Sequence, residues 1–173
     1  MFKNLDELKK KKLYTIVAVI LLTAMYVIIF LFSSESGEES SDLSAGIAEW
    51  LMKVYDRLFG AGNGNGAVVD AEIFPLEAVI RKMAHFIEYL CIGGLSYSLV
   101  LMWYKPNWKG IWFVLLQVFV SGALDEIHQY FIPGRAAMFK DVLIDTAGGL
   151  AGIVIVYLWY KVDSHRKVKF KCK

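Results

Sequence analysis

The chain has 173 residues, 57% of them hydrophobic, with a mean hydropathy of +0.46. That apolar content excludes an ordinary soluble domain of this size. Its two cysteines, Cys91 in an apolar run and Cys172 in a basic tail, exclude a disulfide framework, and a formal net charge of +2 leaves no nucleic-acid footprint.

Residues 1–12 form a basic segment in which Lys3 is followed by the run Lys9 to Lys12. The apolar stretch after it is long enough to cross a bilayer and carries no small-residue cleavage pattern, so it reads as a retained helix and not a removed signal peptide. This first span covers 13–32 without a charge. Phe32-Ser33-Ser34-Glu35-Ser36-Gly37 ends it and opens an outer loop over 33–75. Within the loop Leu43, Ile47, Trp50, Leu51, Val54 and Leu58 recur at helical spacing, which predicts an amphipathic helix lying in the membrane surface or on the bundle mouth, capped by Ser41 or Asp42. Gly60 to Gly66 reads as a flexible linker.

The second span covers 77–104, the third 111–131 and the fourth 142–160, joined by tight turns over 105–109 and 131–141. A basic tail, 161–173, follows. The expected fold is an all-α integral membrane protein: a membrane domain over 13–160 with about four transmembrane helices plus an extracytoplasmic amphipathic helix. If the spans alternate, the segments 1–12, 105–109 and 161–173 share one side. They hold most of the 19 Lys and Arg but only three acids, Asp6, Glu7 and Asp163. The positive-inside rule then puts both termini in the cytoplasm of a cell-membrane protein.

Ionisable residues are costly inside a bilayer and gather where they have partners or a function. On the second span Arg81, His85 and Glu88 share one helical face. On the third, Gln117, Ser121, Asp125 and His128 form a stripe, with Gln129 beside it and Glu126 turned away. On the fourth, Asp141 and Asp145 are one turn apart and lead into Gly148 and Gly152, a small-xxx-small seam through which a homodimer could form. Pro133-Gly134-Arg135 places a guanidinium between the last two spans. At 1.5 Å per residue, Asp125 lies about 9 Å and Asp145 about 6 Å from the outer ends of their spans, so the three stripes meet at one depth.

Several chemistries are open to this cluster. His85, Glu88, Asp125, Glu126, Asp141 and Asp145 are candidate catalytic groups for acid–base chemistry. Arg81, Gln129 and Arg135 are candidate binding groups for an anionic head group. The carboxylates and histidines offer metal donors, but no HExxH or comparable spacing accompanies them, so no metal or cofactor is assigned. The same charges could instead pair off as interhelical glue. A substrate-moving role has little support, since four spans are few and no inverted repeat is evident.

Arg81-Lys82-Met83-Ala84-His85-Phe86-Ile87-Glu88-Tyr89, Asp125-Glu126-Ile127-His128-Gln129, Pro133-Gly134-Arg135 and Asp141-Val142-Leu143-Ile144-Asp145-Thr146-Ala147-Gly148, in this order after Phe32-Ser33-Ser34, resemble the VanZ-like family. That family takes its name from an accessory protein of teicoplanin resistance. The resemblance covers about residues 14–160 and departs at Glu35, where members often carry glutamine. It implies a small multi-pass envelope protein in a bacterial plasma membrane. The expected partners are the lipid bilayer and a lipid-linked or wall-associated envelope component, or a glycopeptide, with lowered teicoplanin susceptibility as the consequence. A non-catalytic binding or partner module is the alternative to a site that processes its ligand.

Overall fold

The computed structural model describes the backbone of residues 2–59 and 66–171, and the side chains of 5–55, 57, 58 and 76–164. Among the described residues every regular element is an α-helix: α1 (Phe2–Ser33), α2 (Gly37–Phe59), α3 (Gly66–Trp103), α4 (Trp108–Gln129) and α5 (Phe139–Lys171). Four stretches are long and apolar enough to cross a membrane: Leu5–Ser33, Leu76–Trp103, Trp108–Gln129 and Phe139–Ser164. Their outer faces carry large apolar side chains such as Ile16, Ile20, Phe30, Phe113, Leu116, Ile155 and Leu158, all exposed. A helix with such a face is stable only against lipid or another apolar surface.

Antiparallel packing of α1 and α3 is fixed near their far ends. Tyr14 Oη and Ser98 Oγ lie 2.7 Å apart, and Trp103 Nε1 donates to Thr15 Oγ1 at 3.0 Å. Asn107 starts α4, its side-chain oxygen accepting from Gly110 N–H at 2.8 Å in an N-cap. The apolar core is Ile29, Tyr89, Ile92, Tyr97, Val114, Val118 and Ile153.

Glycine sets the closest contact. A methyl group at Gly148 would collide with the Phe86 carbonyl, and one at Gly152 with the Leu90 carbonyl and, at 2.7 Å, with the Gly94 nitrogen. The small-residue seam therefore joins α5 to α3 within one chain. It brings the helix faces bearing His85 and Asp145 together.

The outer segment differs from the expected loop. α2 starts at Gly37, ahead of Ser41 and Asp42, because Ser36 and Glu39 form a capping box. Glu39 N–H donates to Ser36 Oγ at 3.3 Å, and Ser36 N–H donates to Glu39 Oε2 at 3.0 Å. These bonds to Ser36 hold the exposed Glu39 carboxyl below its ordinary pKa. The face of α2 that packs on α3 is the small one, Ser40, Ser44 and Ala48. Trp50, Leu51 and Leu58 are exposed, Trp50 to 60%, while the half-exposed Leu43 and Ile47 flank a cleft against α3. α3 begins at Gly66 and continues through Pro75, so much of the expected loop is helix. Residues 60–65 of the expected linker, and Cys172, lie outside the described residues.

Candidate functional site

Ile132-Pro133-Gly134-Arg135 is a turn built by its sequence. Arg135 N–H donates to Ile132 O at 3.2 Å, proline sits second, and Gly134 takes φ +76°, the left-handed value that favours glycine in a type II turn. Pro133 O in turn accepts from Gly37 N–H at 3.1 Å, and no side chain would fit on Gly37 against Gly134. The turn delivers Arg135 to the end of α1. Its Nε donates to Glu35 O at 2.9 Å and its Nη2 to Phe32 O at 2.7 Å. Phe32 O lies in the last turn of α1 and also accepts from Glu35 N–H at 3.3 Å, and Glu35 lies just beyond the helix. Burial, then the nearby Arg81 charge, lowers the Arg135 pKa from its ordinary value. A guanidinium stays protonated regardless.

A chamber of about 200 Å³ opens beside this turn, at the end of the bundle away from both termini. α3 contributes Arg81, Lys82 and His85, α4 contributes Glu126 and Gln129, the turn contributes Arg135, and α5 contributes Asp141 and Asp145. The bases thus come from α3 and the turn, the acids from α4 and α5.

Several of these groups are already engaged. Lys82 Nζ pairs with Asp141 Oδ1 at 2.9 Å, tying α3 to α5. Gln129 Nε2 donates to Asp125 Oδ2 at 2.8 Å and to Ser33 Oγ at 3.2 Å, tying α4 to α1. Glu126 Oε2 accepts from Met138 N–H at 2.7 Å, which anchors the segment entering α5.

Others lack a counter-ion, although Arg135 is held by the carbonyls of Phe32 and Glu35. Among the described residues, neither Arg81 nor Arg135 lies within ion-pair distance of a carboxylate. Asp145 is 1% exposed, and its Oδ1 has no hydrogen-bond partner; nor has the buried Nδ1 of His85. His85 Nδ1 stands 3.8 Å from Glu88 Oε2, beyond hydrogen-bond length. A buried polar atom left unsatisfied costs about 1–3 kcal/mol; Ser96 Oγ and Tyr97 Oη, which do not line the chamber, share this state.

The sequence candidates are thus divided. Arg81, His85, Glu126, Gln129, Arg135, Asp141 and Asp145 share the chamber. Glu88 instead lines an adjoining cleft. Asp125 is buried behind the chamber, held by Gln129. Glu126 was expected to turn away but is 6% exposed and faces inward. The inward face of α4 runs through Val118, Gly122, Asp125, Glu126 and Gln129. His128 points toward α1, stacked on Phe30 at 4.7 Å, with its Nε2 3.0 Å from Ser34 Oγ. Lys82, Ser33 and the Met138 amide were not among the candidate site residues. Lys82 and Ser33 do stand within the motifs that carry the family resemblance.

Among the described residues no three His, Cys, Asp or Glu side chains are grouped so that they could hold a metal ion. The chamber presents cationic donors and an unpaired carboxylate oxygen, a set suited to a polar ligand carrying negative charge.

No curated protein and no solved structure matches the chain. The VanZ/LLP1 family model matches residues 18–160, most of the chain. With four membrane-spanning helices and the motif residues gathered at one end of their bundle, the chain belongs to the VanZ/LLP1 family.

Proposed function

We propose that the chamber binds the anionic part of a cell-envelope component, lipid-linked or wall-associated, at the outer leaflet of a bacterial plasma membrane. The orientation rests on the basic segments 1–12, 105–109 and 161–173, which place both termini in the cytoplasm. The observation that carries the binding role is the pair Arg81 and Arg135. These two guanidiniums line one chamber, and among the described residues neither has a carboxylate in ion-pair range. Lys82 is neutralised by Asp141, whereas Arg135 is held by two backbone carbonyls that leave its charge available to a ligand. Holding the envelope component changes how much glycopeptide target is reachable and so lowers teicoplanin susceptibility.

The test is Arg81→Gln in cells lacking the native protein. The variant is expected to match the deletion strain in teicoplanin susceptibility while its membrane level equals the native one. Native-like protection by Arg81→Gln would refute the reading. Should deletion itself leave susceptibility unchanged, the glycopeptide consequence is wrong, and binding alone then judges the site.

His85, which lines the chamber and whose buried Nδ1 has no hydrogen-bond partner, favours a second reading in which the site also moves a proton on its ligand. His85→Gln that binds ligand but forms no product would support it. No product from the native protein under saturating ligand would remove it.

A further inference from the structure

A second cavity, of about 210 Å³, adjoins the chamber and shares Arg81, His85 and Arg135 with it. Most of its remaining wall is apolar, with Phe32 from α1, Leu43 and Ile47 from α2, and Ile80 and Ala84 from α3, interrupted by Glu35, Ser40, Ser44 and Glu88. Leu43 and Ile47 are 53% and 43% exposed, so the cleft is open along α2. Beyond its mouth the apolar surface continues over Trp50 and Leu51 of α2 and Val79 and Met83 of α3, all exposed. A charged chamber therefore opens into an apolar cleft, and the cleft opens onto a surface built to meet hydrocarbon. Apolar voids of about 150 Å³ admit a benzene-sized guest, so this cleft takes a stretch of one chain, the rest lying along the outer face.

The chamber restricts the head group. Arg81 and Arg135 call for an anion, and the unpartnered Asp145 Oδ1 calls for a hydrogen-bond donor. A phosphodiester with no further donor answers the arginines but leaves Asp145 Oδ1 unpartnered. A phosphate carrying a hydroxylated substituent answers both.

Building on the proposed anion-binding role, we infer that the ligand is a phospholipid whose head group bears a hydroxyl donor beyond its phosphate. The phosphate lies against Arg81 and Arg135, the hydroxyl meets Asp145, and one chain leaves through the cleft between α2 and α3. α2 is then a wall of the binding site, not only an anchor for the outer segment.

Three probes separate the parts: phosphatidylglycerol, which has anion, hydroxyls and chains; phosphatidylcholine, which has no head-group donor; and glycerol 3-phosphate, which has no chains. Binding of each to the full chain in detergent is measured by native mass spectrometry. Phosphatidylglycerol is expected to bind at least about tenfold more tightly than either of the others. Ala84→Phe, which fills the cleft, and Ile47→Asp, on the exposed face of α2, are expected to erase its advantage over glycerol 3-phosphate. Asp145→Asn is expected to erase its advantage over phosphatidylcholine. Equal affinities of the native chain for phosphatidylglycerol and glycerol 3-phosphate, each weakened by Arg81→Gln, would overturn the lipid inference and leave the anion site standing. Binding that ignores Arg81→Gln with every probe would overturn both.

Discussion

Arg135 Nη2 donates to the carbonyl of Phe32 at 2.7 Å, so a side chain from the turn before α5 caps the C-terminus of α1. With the bond from Nε to Glu35 O at 2.9 Å, the planar guanidinium engages two carbonyls at and just beyond the end of α1. Arg135→Ala is expected to destabilise the bundle by about 2 kcal/mol, in line with hydrogen bonds to a charged group. Arg135→Lys should recover part of this, since one ammonium cannot match the fork. Unfolding in detergent checks both, and a native-like melting temperature for Arg135→Ala would show that the cap contributes nothing.

Gly152→Ala places a methyl group against the Leu90 carbonyl, a backbone atom that cannot swing away. The expected loss is about 1–3 kcal/mol, the usual range for overpacking. Gly46→Ala is the control: nothing lies within 4 Å of its added methyl, so helix propensity alone predicts a gain of up to about 1 kcal/mol. Thermal unfolding of the two variants should move in opposite directions.

The spans were legible because hydrocarbon demands long apolar runs, and 13–32 is such a run. The three polar stripes were legible for the same reason: charge in an apolar run stands out. Fine orientation was not. A wheel drawn through Gln117, Ser121, Asp125 and His128 turned Glu126 outward, yet His128 finds a partner on α1, and the inward face centres on Gly122, Asp125 and Glu126. Gly148 and Gly152 announced a close contact without saying with what, and the partner is α3 of the same chain. In the outer segment the apolar stripe of α2 was read correctly as periodic. Its small opposite face, Ser40, Ser44 and Ala48, is the one that packs, because close approach to α3 needs small residues there.

The Ser36–Glu39 capping box makes the start of α2 sensitive to pH. Glu39 titrates below its ordinary value of 4.5 because Ser36 donates two hydrogen bonds to its charged form. A carboxylate whose folded pKa is depressed contributes stability above its unfolded value, and that contribution fades as pH falls through the folded one. Amide hydrogen exchange over residues 37–40, corrected for intrinsic rates, should be slower at neutral pH than at pH values well below 4.5. Glu39→Gln should remove most of the difference. An unchanged pH response in that variant would assign it to another group.

Asp145 is retained although one of its oxygens is buried without a partner. Such an atom costs about 1–3 kcal/mol, and under the proposed function that cost is offset when a ligand binds. Asp145→Asn is expected to melt no lower than the native protein while losing function. If it unfolds readily, Asp145 serves the bundle and not the chamber.

The most direct measurement is the lipid content of purified protein, native against Arg81→Gln, determined by mass spectrometry of the extracted chains at matched yield and melting temperature. Arg81 faces the chamber and, unlike Arg135, makes no hydrogen bond that holds α1 in place. The native protein is predicted to retain an anionic amphiphile in stoichiometric amount and Arg81→Gln to lose most of it. Equal retention of the same lipids by both proteins would contradict an anion-binding chamber.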